Sequence, residues 1–348
     1  MSVLDTTWCH FRYVTGSLSI TLYDLIAKPQ LKENYFPSLK KSIKSSRIEF
    51  GFNLRQNELR TSFNKSFECL NKFKVDWLRT DFPMGYNYEP DFKLADKIVS
   101  ECQRGKIKLL FVLGSGMSCN IVKTPKNERE ANKFVELVSK IAKRYKNKVS
   151  AYEIWNEPNL PYFWGGNFKD FIELLKRSSF AIKKQSVSSL VGFTLAYYWN
   201  MNEYLKRIAS KQILSNVDFF GLHSYPGSIE PGDFGIMRKR ILDTKRVLKE
   251  ANCDIKIWVT EIGFVAFNSS KLSSHTVQNQ TKFFMGACKI FKKNKIPVVT
   301  WYRMRDAPVI NLLHKFDPYE HRWGLLKEDF KPKNPNIFEI VSKRMMFK

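Results

Sequence analysis

From residue 47 onward the chain alternates short apolar runs with amphipathic stretches, and it does so eight times. The runs cover 48–54, 75–82, 107–113, 149–155, 191–197, 217–223, 255–261 and 296–302. All are brief and rich in β-branched and aromatic residues, which predicts strands covered on both faces. The stretches between them repeat apolar residues at helical spacing. Leu59, Phe63, Phe67 and Leu70 share one face of a helix predicted over 58–74. Asn127 can cap a helix carrying Phe134, Leu137, Val138, Ile141, Ala142 and Tyr145. Further helices are predicted over 91–104, 168–184, 201–211, 234–251 and 276–293, with a last one over 335–346. A doubly wound open sheet gives the same rhythm. Eight strands favour the closed (β/α)8 barrel, and no phosphate-cradling glycine loop follows the first strand.

At 348 residues, 43% hydrophobic and 14% aromatic, the chain can bury one large core. The expected division is an N-terminal extension or linker over 1–46 and a barrel domain over 47–348. A net charge of +25 fits either a lysine-rich surface or an anionic partner: an acidic polysaccharide, an anionic lipid surface or nucleic acid. No basic run with interleaved aromatics resembles a nucleic-acid module, so no nucleic acid is expected. Cys9, Cys69, Cys102, Cys119, Cys253 and Cys288 are scattered singly, away from zinc spacing, and read as buried free thiols. With no signal peptide and no membrane-spanning stretch legible, a cytoplasmic location is favoured. The oligomeric state is not written in the sequence.

In a (β/α)8 barrel, chemistry sits where the strands end. Those ends carry Asn53 and Arg55, Arg79 and Asp81, Asn156 and Glu157, His223 and Tyr225, Glu261, and then Trp301 and Arg303. They are polar and aromatic while the strand bodies are not. Glu157 and Glu261 close two separate strands, as an acid/base pair requires. A lone glutamate at a strand end is more often a solvated rim residue; here the whole set carries the catalytic reading.

Trp155-Asn156-Glu157-Pro158-Asn159, His223-Ser224-Tyr225, Thr260-Glu261-Ile262-Gly263 and Trp301 together resemble the retaining glycoside hydrolases of clan A. With Leu160 and Phe163-Trp164 following, the wording is most similar to glycoside hydrolase family 39, with family 5 as the near alternative. The resemblance extends over about 47–332, where Arg322-Trp323-Gly324-Leu325-Leu326 matches a common closing segment. It implies a TIM-barrel glycosidase, without cofactor or metal, that cleaves a β-linked oligo- or polysaccharide. The charge leans that substrate toward an acidic glycan.

By the same resemblance Glu157 is the general acid/base and Glu261 the nucleophile. Substrate contacts fall to Asn156, Arg79, His223, Tyr225, Trp301 and Trp164, with Trp301 as the floor on which the sugar stacks. Arg303 and Arg305 could hold an acidic sugar or pair with Asp306 or Asp317. Glu153, Asp81 and Glu89 are secondary candidates. No β-sandwich segment follows the barrel, which leans away from xylosidase and iduronidase activity. The alternatives are a transglycosylase using the same glutamates and a polysaccharide-binding barrel without catalysis.

Overall fold

A computed structural model describes residues 47–114, 122–161, 163–197, 200–210, 212–225, 234–267, 275–308 and 321–348. The expected N-terminal extension over 1–46 lies outside them, as do Cys9, Cys119 and Asp317. Eight parallel strands close in sequence order into a barrel. They are β1 (Glu49–Leu54), β2 (Trp77–Asp81), β3 (Lys108–Leu113), β4 (Ala151–Ile154), β5 (Leu190–Ala196), β6 (Phe219–His223), β7 (Lys256–Ile262) and β8 (Val298–Trp301). Around them lie α1 (Gln56–Thr61), α2 (Phe63–Phe73), α3 (Phe92–Arg104), α4 (Glu128–Arg144), α5 (Phe168–Gln185), α6 (Met201–Ile208), α7 (Phe234–Glu250), α8 (Val277–Lys293) and α9 (Ile337–Ser342).

The predicted helix over 58–74 is two helices, because the backbone leaves helical geometry at Ser62. The expected final helix over 335–346 is likewise shorter, ending before a 3-10 turn at Met345–Phe347. The Asn127 side chain accepts from the Glu130 N–H, so that cap forms as expected. The four described cysteines are free, and three of them are buried. No described helix is long and apolar enough to cross a membrane.

Side-chain parity divides the core in two. Phe50, Phe52, Leu78, Phe111, Tyr152 and Ile154 join the layer between strands and helices. Their neighbours of opposite parity fill the barrel itself, where Trp77, Leu110, Ala151, Phe219 and Trp258 form a separate apolar plug. Trp258 stacks on Phe219 at 3.9 Å and meets Trp77 edge-on at 5.1 Å. Rings this large fit because glycine faces them: a Cβ on Gly192 would lie 2.4 Å from the Phe219 ring. This plug blocks the barrel below and is the floor on which the polar layer rests.

Candidate active site

Above the plug the barrel interior turns polar. Asn53, Arg79, Glu153, Thr194, Thr260, Thr300 and His223 are all buried there. Arg79 is the hub of this layer. Its Nε donates to Glu153 at 2.6 Å, one Nη to Asn53 and Glu261 at 2.9 and 2.5 Å, and the other to Asn156 at 3.0 Å. A buried guanidinium needs such partners, since an unpaired charge here would cost several kcal/mol. The two carboxylates also keep Arg79 firmly protonated against burial, which alone would favour losing the proton.

Each glutamate reaches the mouth through a backbone irregularity. On β4, alternation would point Trp155 into the barrel, but Trp155 takes φ +63 and Glu157 φ +45. These left-handed conformations cost on the order of 1 kcal/mol or more per residue. They turn the Trp155 ring outward against Phe134 and leave Asn156 and Glu157 at the rim. Gly114, at φ +93, makes room for that ring, because a Cβ there would sit 2.3 Å from it. On β7 one extra residue is inserted: Gly221 and His223 of β6 pair with Trp258 and Glu261. The bulge lets Thr260 and Glu261 both serve the interior while Ile262 returns to the outer core.

The two carboxylates meet at His223. Its Nδ1 lies 2.7 Å from Glu157 Oε1 and 3.7 Å from Glu261 Oε2. An oxygen of each glutamate lies within 4.8 Å of the other's. His223 Nε2 faces Thr260 Oγ1 at 3.1 Å and an Arg79 Nη, which can only donate, at 3.4 Å. Nδ1 thus faces the Glu157 carboxyl, while Nε2 faces a hydroxyl and an obligate donor.

The same geometry drives the two acids apart. Burial raises the Glu157 pKa, and the negative Glu261 adds to it; the His223 contact opposes both without reversing the shift. Burial would also raise Glu261, but His223, Arg79 and the hydrogen bond from Tyr225 outweigh it, so its pKa falls. The Tyr225 hydroxyl donates to Glu261 Oε2 at 2.5 Å. Burial and that carboxylate push the phenol well above its ordinary range.

Glu157, His223 and Glu261 also have the spacing of a cation site, the one such group among the described residues. Their facing atoms are already engaged with one another and with Arg79 and Tyr225. A cation would have to displace the guanidinium from Glu261.

Of the residues expected at the site, Asn156, Arg79, His223 and Tyr225 gather with the two glutamates. Trp301 and Trp164 do not. Thr300 points inward to bond the Thr260 carbonyl, so Trp301, one residue on, points outward. Its ring is 1% exposed, lies edge-on to Phe284 of α8 at 5.0 Å, and donates to the Trp323 carbonyl. Trp164 packs edge-on against Trp155 at 5.1 Å and donates to the Asn167 carbonyl at 2.9 Å. Arg303 pairs with Glu58, also buried, rather than with Asp306. Asp306 instead holds Lys333 at 2.8 Å and Arg322 at 3.5 Å, while Arg305 reaches the Glu328 carbonyl and Ser62.

Glu153 stood among the secondary candidates, Thr260 figured only within its motif, and Tyr302 was not among the expected site residues. Tyr302 has the inward parity of Thr300 and stands near Tyr225 and Trp323, both at ring distances of 6.1 Å. Arg55 lies over its ring at 5.4 Å. Strict alternation from Thr300 was the signal that could have found it.

Residues 113–262 match the family model for "Glycosyl hydrolases family 39". That segment includes both glutamates. A curated β-xylosidase from Caldicellulosiruptor saccharolyticus is 32% identical over 127 residues, covering 35% of this chain. The chain spans only 26% of that relative's length. Among solved structures, a family 39 glycoside hydrolase from Bacteroides cellulosilyticus WH2 superposes with a TM-score of 0.64 at 20% identity. It covers 87% of this chain, which spans 65% of that one. A glucosidase from Croceicoccus marinus gives a TM-score of 0.64 at 15% identity, with 87% and 69% covered. At these identities the superpositions establish a shared barrel. The matched segment, with the motifs on its strand ends, is similar in sequence to glycosyl hydrolases family 39.

Proposed function

We propose that residues 47–348 form a single catalytic domain that hydrolyses β-linked oligo- or polysaccharides with retention of anomeric configuration. The observation that carries this reading is the approach of Glu157 and Glu261 to within 4.8 Å. Retaining enzymes hold their carboxyl groups about 5–5.5 Å apart, whereas inverting enzymes leave about 6.5–9.5 Å for a water.

Glu261, held ionised by Arg79, His223 and Tyr225, attacks the anomeric carbon and forms a glycosyl ester. Glu157, protonated at rest because it is buried beside a negative neighbour, gives its proton to the departing glycosidic oxygen. Water then takes the place of the leaving group. Glu157, now a base, accepts its proton as the hydroxyl oxygen displaces Glu261. Asn156 spends its carbonyl on Arg79, which leaves its amide nitrogen to donate to the sugar 2-hydroxyl, a contact that strengthens in the transition state. Tyr302, Tyr225 and Trp323 provide an aromatic wall beside Glu261 in place of the floor expected from Trp301.

The test is sugar release from a panel of aryl β-glycosides, xylosides and glucosides included, and from neutral and acidic polysaccharides. Wild type is run beside Glu157→Gln and Glu261→Gln. The expected result is cleavage of at least one substrate, lost by on the order of 10³-fold or more in each variant. Full activity in either variant would overturn the assignment. No cleavage anywhere, with all three proteins binding the same glycan equally, would identify a binding barrel.

A further inference from the structure

We infer that the end of the barrel opposite the active site is a docking face for an anionic lipid bilayer. The net charge of +25 is not spread evenly, and the topology is what concentrates it. In a closed parallel barrel every flanking helix runs back against its strand, so all helix C-termini collect at the strand N-termini. Here the last helical turns carry Lys143 and Arg144 on α4, Lys183 and Lys184 on α5, and Lys292 and Lys293 on α8. The loops from these and neighbouring helices into the strands add Lys74, Lys106, Lys146, Lys148 and Lys295, all exposed.

Several acids at this end sit in ion pairs, Glu49 with Lys108, Asp76 with Arg47 and Arg344, Asp96 with Arg144, Glu101 with Arg104 and Asp218 with Lys183, while Glu250 and Asp254 are exposed and the basic groups still outnumber them. At the opposite end Glu128 and Glu130, Asp170 and Glu203 open the helices and offset neighbouring bases such as Lys126, Arg129 and Lys169. Favourable contact with helix dipoles explains why lysine is tolerated in the last turns. It does not account for the loop lysines, which lie beyond the helices.

Three features favour a bilayer over a nucleic acid or a single polymer strand. The basic groups ring one end of a closed barrel, and a ring of charge matches a plane better than a thread. They are mainly lysines, point charges suited to diffuse attraction rather than to the paired hydrogen bonds of arginine on phosphate. Beside Lys183 and Lys184, Val187 is 79% exposed and Phe180 60% exposed. Phe180 lies five residues before the end of α5, hence within about 8 Å of the face at 1.5 Å per residue. Apolar side chains rimmed by lysine are what an interfacial contact uses. Docked this way, the protein would present Glu157 and Glu261 to the side away from the lipid.

The experiment is sedimentation of the full chain with phosphatidylcholine vesicles, with and without phosphatidylserine. It is repeated with a variant carrying Lys146→Glu, Lys148→Glu, Lys184→Glu and Lys293→Glu. A control of equal charge change carries Lys93→Glu, Lys126→Glu, Lys169→Glu and Lys327→Glu, at the active-site end. The expected result is binding to the anionic vesicles only, weakened by salt. The first variant should lose at least about 100-fold in partitioning, each basic group contributing a few-fold at the lipid surface. The control should lose far less, and both should melt within a few degrees of wild type. Equal loss in both variants would place the effect in net charge rather than in this face. Failure to bind anionic vesicles, or binding only to a soluble anionic polysaccharide, would overturn the proposal. None of these readouts depends on glycoside cleavage.

Discussion

Glu153 and Arg79, 74 positions apart in the chain, form an ion pair of 2.6 Å inside the barrel, directly beneath the two candidate catalytic glutamates. Glu153 is fully buried, and its second oxygen has no hydrogen-bond partner. Such a pair is a poor way to gain stability, because desolvating both charges offsets most of their attraction. Its evident use is positional: it fixes one edge of the guanidinium so that the other edge meets Glu261 and Asn156. Glu153→Gln should therefore lower kcat by about 10-fold or more with KM nearly unchanged, reflecting lost transition-state alignment. Arg79→Met should do worse on both activity and stability, since it leaves two carboxylates unpaired, at a cost of about 3–5 kcal/mol. Steady-state kinetics and urea unfolding of the two variants check this ordering.

Tyr225→Phe removes one of the contacts that hold the Glu261 carboxylate low. Activity needs Glu261 ionised, so the acid limb of the kcat/KM profile should move to higher pH once that hydrogen bond is lost. The alkaline limb, set by deprotonation of Glu157, should stay in place. The stability sign follows. A depressed carboxyl contributes stability above its unfolded pKa and loses it as pH falls through the folded value. Tyr225→Phe should therefore destabilise at neutral pH and converge with wild type in strong acid, as melting curves across pH would reveal.

Trp301→Phe should cost about 1–2 kcal/mol in unfolding free energy through lost packing against Phe284, while leaving KM within about twofold. Tyr302→Ala should do the reverse at the site, raising KM by about 10-fold or more through loss of the aromatic wall. If Trp301→Phe raised KM instead, the outward placement of that ring would be refuted.

Gly221→Ala tests the interior layer itself. A Cβ there would lie 2.4 Å from Thr260 Oγ1 and 2.7 Å from Glu153 Oε1. Overpacking of this kind costs about 1–3 kcal/mol, and the displaced Glu153 should carry activity down with it. A variant as stable and active as wild type would show that the layer gives way freely.

Much of this was legible in the sequence, and the failures have a shared cause. The apolar runs and helical spacing gave the barrel, because period and length record burial directly. Glu157 and Glu261 were legible because a carboxylate closing a buried strand stands out against its apolar neighbours. Which way each side chain faces was only thinly written, since Thr300 is the one polar marker in the run over 296–302 and a shift of one residue exchanges inside for outside. Trp301 was read as the sugar floor from the resemblance, whereas its ring packs outside the barrel against Phe284. The kink at Trp155 and the bulge on β7 break alternation at the two places that carry the candidate glutamates, and no pattern of residue types announces them. Pairings such as Glu153 with Arg79, or Glu58 with Arg303, join residues distant in sequence and carry no local signal.

The most direct test of the central claim is to trap the covalent intermediate. The protein would be incubated with a 2-deoxy-2-fluoro β-glycoside of a sugar it cleaves, bearing an activated leaving group, and the labelled peptide found by mass spectrometry. Fluorine at C2 slows both formation and breakdown of the ester, and the activated leaving group restores formation alone, so the glycosyl-enzyme accumulates. The account predicts inactivation with one glycosyl unit attached at Glu261, and no label in Glu261→Gln. A label on any other residue, or release of an inverted product without any covalent species, would contradict it.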